Sequence, residues 1–182
     1  MSKRGAIMTK LLSILISAIT IFNAPLLSVD EQNTVYEEVW FNSTDEIRKT
    51  LPIEYQAYAC GMTAEEFTFM ARVIQAESNG TYDWSDLEDK ILIACVILNR
   101  VEHRGFNNTV SSVLTQDGQF TTVSGGYCSC SYSDSSRWAI VEAERRLANE
   151  EVPSNLLYFN CIGYASGFEP YCYEGGNYFS LG

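Results

Sequence analysis

Two runs with helical spacing, broken by Asn79-Gly80, constrain this chain most. The first is Phe67 to Glu77, preceded by Thr63-Ala-Glu-Glu66, whose Thr63 and Glu66 stand at the N-cap and N3 positions of a capping box. The second follows a similar signal at Ser85-Asp-Leu-Glu88 and repeats Leu87, Ile91, Ala94, Cys95 and Leu98 at i, i+3 and i+4 up to Arg100. Asn79-Gly80 supplies a left-handed stop between them. The expectation is a tight helix-loop-helix corner with Glu77 at its mouth.

Glu77 is the candidate of highest chemical content. Met70, Val73 and Ile74 lie at i−7, i−4 and i−3 from it, so its side chain shares a face with core residues. An apolar surround and the negative pole of a helix C-terminus both favour the protonated acid. That is the state a general acid needs at neutral pH.

Further along, Asn108–Leu114 reads as a short helix, and Asp134 or Ser135 caps another that extends to about Asn149. Between them Gln119–Gly126 alternates and ends in glycines, which predicts an extended segment or a small hairpin. Past Pro153 no helical pattern returns, and Leu156–Gly182 carries five tyrosines among five glycines. The fold class expected is mainly α (α+β), a helical domain with a small β- and loop-rich, Tyr/Gly-rich C-terminal part.

The 182 residues suffice for one core. Lys3, Arg4 and Lys10 precede the apolar run Leu11–Phe22, the form of a signal peptide or an N-terminal anchor over residues 1–28. Residues 29–61 mix acidic residues with scattered aromatics and show no strong period, a linker or strap. Residues 62–182 are then the catalytic domain. A net charge of −11, with no basic run after the first ten residues, excludes the electrostatic footprint of a nucleic-acid binder. It also offers no long-range attraction to an anionic wall, so recognition of such a polymer falls to short-range contacts, with aromatic rings as the supply.

Of six cysteines, Cys95 sits in the apolar helical pattern and is expected to be a buried thiol. Cys128, Cys130, Cys161 and Cys172 lie in loop-like sequence and are expected to form at least one bridge; a zinc site from the same four lacks paired C-x-x-C knuckles. No metal or organic cofactor is expected. Three Asn-x-Thr sequons stand at Asn42, Asn79 and Asn107.

The blocks Ala71-Arg-Val-Ile-Gln-Ala-Glu-Ser-Asn-Gly80, Ile93-Ala-Cys-Val-Ile-Leu-Asn-Arg-Val101, Gln119-Phe120 and Leu157-Tyr-Phe-Asn160 resemble, in that order, the SleB/CwlJ-type cell wall hydrolases, the spore-cortex-lytic enzymes and their relatives. The resemblance covers about residues 64–182. It implies a lysozyme-like fold related to lytic transglycosylases, a monomer acting outside the cell, and cleavage of peptidoglycan between N-acetylmuramic acid and N-acetylglucosamine. On it Glu77 takes the catalytic glutamate position. Gln119, Phe120, Tyr158 and Asn160 become substrate-binding candidates, each able to hydrogen-bond or stack against sugar.

Two mechanisms stay open. Glu77 alone can serve as acid and then base, with the muramic acid C6 hydroxyl as nucleophile. Alternatively Asp83 is the second carboxylate of a hydrolytic muramidase, Asp86 and Glu88 being better explained by the start of the second helix. A peptidoglycan-binding module without turnover is the third reading. His103 and Asn99-Arg100 are assigned structural roles at the end of the second helix, Arg100 bonding the last carbonyls of that helix and Asn99 linking to a neighbouring loop.

Overall fold

The computed structural model describes residues 28–78, 82–124 and 131–182. The chain divides into two compact units, with the boundary between Ala59 and Cys60.

The first unit contains helices α1 (Val29–Asn42), α2 (Asp45–Arg48) and α3 (Ile53–Ala59). Ser28 and Glu31 make a reciprocal capping box at the start of α1. Val39, Leu51 and Tyr55 form a small core, with Val35, Tyr36, Trp40 and Ile47 packed against it. Arg48 lies over the Trp40 ring at 5.0 Å and donates from Nε to the Trp40 carbonyl at 3.0 Å. The segment read as a strap is therefore helical. Its apolar pairs, Val35/Val39 and Tyr36/Trp40, do stand at i, i+4, but over so few turns that Glu37 and Glu38 mask the period.

The second unit begins with α4 (Ala64–Glu77), with Thr63 and Glu66 in the expected capping box, and continues through α5 (Leu87–Glu102). Next come α6 (Val110–Leu114), the single turn α7 (Thr121–Ser124) and α8 (Asp134–Ala148). Strands β1 (Leu156–Asn160), β2 (Glu169–Glu174) and β3 (Asn177–Leu181) close the chain as an antiparallel sheet in the order β1-β3-β2. The mainly α architecture with a small C-terminal sheet matches the expected class.

Helix α5 is the axis of this unit. Every residue from Asp89 to Arg100 is buried, and α8, β1, α6 and α4 all pack on it. Four polar side chains are carried into the core by that enclosure. Lys90 Nζ donates to Ser135 Oγ of α8 at 2.8 Å, and Asn99 Nδ2 donates to the carbonyls of Pro153 (2.9 Å) and Leu156 (3.0 Å). Asn99 thus links α5 to the segment entering β1, as expected. Arg100 does not bond the last carbonyls of its own helix; its Nε donates to the Leu157 carbonyl of β1 at 2.8 Å. His103 is the C-cap of α5.

The fourth is Asp89, met by the β2–β3 turn. Gly175 and Gly176 have φ of +56° and +95°, the left-handed pair that a two-residue hairpin requires. A Cβ on Gly175 would stand 2.4 Å from Asp89 Cβ, so glycine is needed for close approach as well as for backbone conformation. Asn177 Nδ2 donates to Asp89 Oδ1 at 3.0 Å.

Two further local expectations are corrected. Asp86, with no side-chain cap hydrogen bond, is the N-cap of α5, because Ser85 turns its N–H and hydroxyl back to Asp83 Oδ1 (2.9 and 2.5 Å). Residues 121–124 are helical rather than extended: Phe120, 2% exposed, is pinned in the core, and the Val123 N–H closes a turn onto its carbonyl. Cys95 is free and buried as expected; Cys161 and Cys172 are also free, and Cys128 and Cys130, the remaining candidates for the expected bridge, lie outside the described residues, as does sequon Asn79.

Candidate active site

Glu77 is the last residue of α4, with Ser78 as C-cap. The face leading to it is core as expected, since Met70, Val73 and Ile74 have no exposed surface. Glu77 itself is half-buried. Its Oε1 accepts a hydrogen bond from Thr122 Oγ1 at 2.6 Å, across 45 residues of sequence. Turn α7 thereby fixes one oxygen of the carboxyl group. Thr122 has no sequence signal beyond its place two residues after Phe120.

Arg100 is 3% exposed. Its guanidinium is 5.0 Å from the ring centroid of Phe106, 5.3 Å from Phe120 and 5.9 Å from Tyr158. Burial lowers its pKa to about 10, opposed by the Tyr158 hydroxyl and the Glu77 carboxylate, so it stays charged at neutral pH. The residue assigned a structural role is thus in electrostatic reach of the candidate acid.

The four substrate candidates separate by burial. Phe120 packs with Phe159 at 6.1 Å under Arg100 and supports the site from the core. Tyr158 is half-buried, 6.3 Å from Phe106 and 4.4 Å from Phe168, and it is brought to Arg100. Asn160 lies two residues on in β1, hence on the same sheet face, and is exposed; its Oδ1 accepts from the Ile162 N–H at 2.8 Å. Gln119 is half-buried at the end of a turn onto the Gln116 carbonyl.

The candidate second carboxylates are engaged elsewhere. Ser85 holds Asp83 ionised through its hydroxyl and N–H, keeping its pKa below the usual carboxylate range. Glu88 makes a bidentate pair with Arg146 of α8 at 2.6 and 2.8 Å. A cavity of about 490 Å³ lined by Cys60, Leu98, Glu102, His103 and Glu144 contains none of the residues gathered around Glu77. Among the described residues no group of three or more His, Cys, Asp or Glu is placed to hold a metal ion.

Residues 84–168 match the family described as Cell Wall Hydrolase, a span that opens after Glu77 and includes Arg100, Thr122 and Tyr158. The spore cortex-lytic enzyme of Oceanobacillus iheyensis is 31% identical over 110 residues, which are 59% of this chain and 37% of that protein. That of Bacillus cereus is 28% identical over 99 residues, 54% of this chain and 36% of the relative. The chain therefore spans little more than a third of these curated relatives. Among solved structures, the catalytic domain of the germination-specific lytic transglycosylase SleB from Bacillus anthracis aligns with a TM-score of 0.53 at 27% identity, covering 66% of this chain and 97% of that domain. The SleB catalytic domain of Bacillus cereus aligns with a TM-score of 0.54 at 25% identity, covering 65% and 91%.

Proposed function

We propose, from the premise that this chain belongs to the cell wall hydrolase family and is a distant homologue of the spore cortex-lytic catalytic domain, that it cuts peptidoglycan glycan strands by lytic transglycosylation with Glu77 as the catalytic residue. The observation that carries this reading is one carboxyl group, Glu77, held by Thr122 at the end of α4, while Asp83 and Glu88 are bound to other partners.

In the first step Glu77 gives its proton to the oxygen joining N-acetylmuramic acid C1 to N-acetylglucosamine, and the C1–O bond breaks. The resulting carboxylate takes the proton from the muramic acid C6 hydroxyl. O6 then bonds to C1, closing a 1,6-anhydro ring, and Glu77 is protonated again for the next turnover. No water is consumed. The C6 hydroxyl is already part of the bound sugar, so its attack costs little entropy compared with capturing a water.

Tyr158 and Asn160 share a face of β1 and are proposed to line the sugar site, with Gln119 as a further polar contact. Phe120 acts from beneath. The substrate lies outside the cytoplasm, which fits an export signal or anchor in residues 1–28; that segment lies outside the described residues, and among the described residues no helix is long and apolar enough to cross a membrane.

Replacing Glu77 by Gln keeps the shape and removes the proton. The variant should clear a suspension of purified sacculi about 10²–10⁴ times more slowly than wild type, at an unchanged thermal midpoint. Retention of more than about a tenth of the wild-type rate would take Glu77 out of the acid role.

A further inference from the structure

The face of the C-terminal sheet turned away from the buried ring of Phe179 carries aromatic side chains that the core does not use. Residues paired directly across an antiparallel ladder share a face, so Asn160 of β1, Tyr178 of β3 and Tyr173 of β2 stand side by side. The Tyr173 and Tyr178 rings are 4.6 Å apart, and Tyr164 meets Tyr178 edge-on at 5.1 Å. Tyr164 and Tyr173 are nonetheless 41% and 56% exposed. Their placement is fixed from behind and from the side. Gly175 and Asn177, between Tyr173 and Tyr178, dock the hairpin turn on Asp89 of α5. The Ala165 N–H donates to Ser180 Oγ at 3.1 Å, which lays the loop carrying Tyr164 on the same face. Rings that are held still and yet face water offer contact area at little cost in conformational entropy.

Two observations choose the occupant. The face continues the sugar contacts proposed above, since Asn160 is the cross-strand partner of Tyr178 and Tyr158 lies two residues back on the same side of β1. The strand residues on this face, Tyr158, Asn160, Pro170, Tyr173, Tyr178 and Ser180, also carry no charge, in a chain whose net charge is −11. A backbone of acetamido sugars, uncharged along its ring faces, meets no repulsion there, whereas a basic partner finds no carboxylate on these strands to pair with. The apolar side of a pyranose stacks on a tyrosine ring, and the phenol hydroxyls can bond its acetamido and hydroxyl groups. We propose that Tyr164, Tyr173 and Tyr178 form a subsite for the glycan strand beyond the bond that is cut, reached through Asn160. The proposal rests on the reading of Glu77 as the acid and of Asn160 as a sugar contact. Because these rings touch sugars away from the reacting atoms, they hold ground and transition states alike and lower KM for long strands without changing kcat.

The test uses the full chain in the E77Q background, where strands bind without being cut, and glycan freed of stem peptides by an amidase, as long strands and as tetrasaccharides. Calorimetry gives affinity and thermal melting checks the fold. E77Q/Y173A and E77Q/Y164A should each bind long strands about three- to tenfold more weakly than E77Q and the tetrasaccharide within about twofold of it. E77Q/Y173F keeps the ring and should stay within about twofold of E77Q on both. With Glu77 intact, Y173A should raise KM for long strands by the same factor as its loss of affinity and leave kcat within about twofold. A loss below about threefold on long strands in either alanine variant overturns the proposal, as does an equal loss on the tetrasaccharide or a Y173F loss equal to that of Y173A. Loss confined to sacculi that keep their stem peptides assigns the face to peptide, and a dimeric wild type that Y173A makes monomeric assigns it to a second copy; either overturns the proposal. Should Y173A not fold, Y164A decides alone by the same thresholds. A wild type that releases no muropeptides fails the reading of Glu77, while the affinities, which need no cleavage, still report on the rings. Active wild type, inactive E77Q and undiminished affinities fail the rings alone.

Discussion

The hydroxyl of Thr122 is the smallest part of the site and the one most exposed to test. Its bond to Glu77 Oε1 at 2.6 Å restrains the orientation of the candidate acid. Hydrogen bonds to a carboxylate are worth about 1.5–3 kcal/mol, and each 1.36 kcal/mol is tenfold in rate. Thr122→Val, nearly the same in shape, should therefore slow release of muropeptides by about ten- to a hundredfold with little change in thermal midpoint; an unchanged rate would show that Thr122 does not orient the acid. The place of Glu77 at the end of a helix with a buried face was legible in the chain because that helix is local, its face apolar and its stop signalled in the sequence by Asn79-Gly80. Thr122 and Arg100 were not, since what they do depends on contacts 45 and 57 residues away. No period encodes such a contact. Arg100 was read by its distance from the helix end, a sound local rule that the docking of β1 overrides.

At the scale of elements, α4, α5 and α8 could be read from spacing and caps because each buries a face many turns long. Turn α7 and helices α1 to α3 could not, since their positions come from anchors such as Phe120 or from apolar pairs over one or two turns. The docking of the β2–β3 turn onto α5 has a titrating consequence. Burial first, then Asp86 and Glu174, push Asp89 up to about 6, against the opposing effects of Asn177 and Lys90. Its Oδ2 is buried without a partner among the described residues, which adds to the cost of ionising the group. The folded state thus holds this proton more tightly than the unfolded chain, whose aspartate titrates near 4. Stability from this group is full below about pH 4, falls as the pH rises to about 6, and stays lower above that, by at most about 3 kcal/mol. Denaturant unfolding of wild type at pH 4 to 8 should show that decline, and D89N should flatten it; a decline of equal size in D89N would place its origin elsewhere.

For the molecule as a whole, the proposed function sets a net charge of −11 against an anionic polymer, so on that proposal the grip on substrate comes from short contacts such as those assigned to Tyr158 and Asn160, and the chemistry from a single carboxyl group. The family likeness was legible because four blocks occur in order, and the similarity to two SleB catalytic domains extends over about two thirds of this chain. Whether one carboxyl group suffices is the central claim, and mass spectrometry of the muropeptides released from purified sacculi addresses it directly. The account predicts 1,6-anhydromuramic ends, lighter by one water than their hydrolysed counterparts, and their continued release by Asp83→Asn. Reducing muramic acid ends from wild type, together with loss of activity in Asp83→Asn, would contradict it and make the chain a two-carboxylate muramidase.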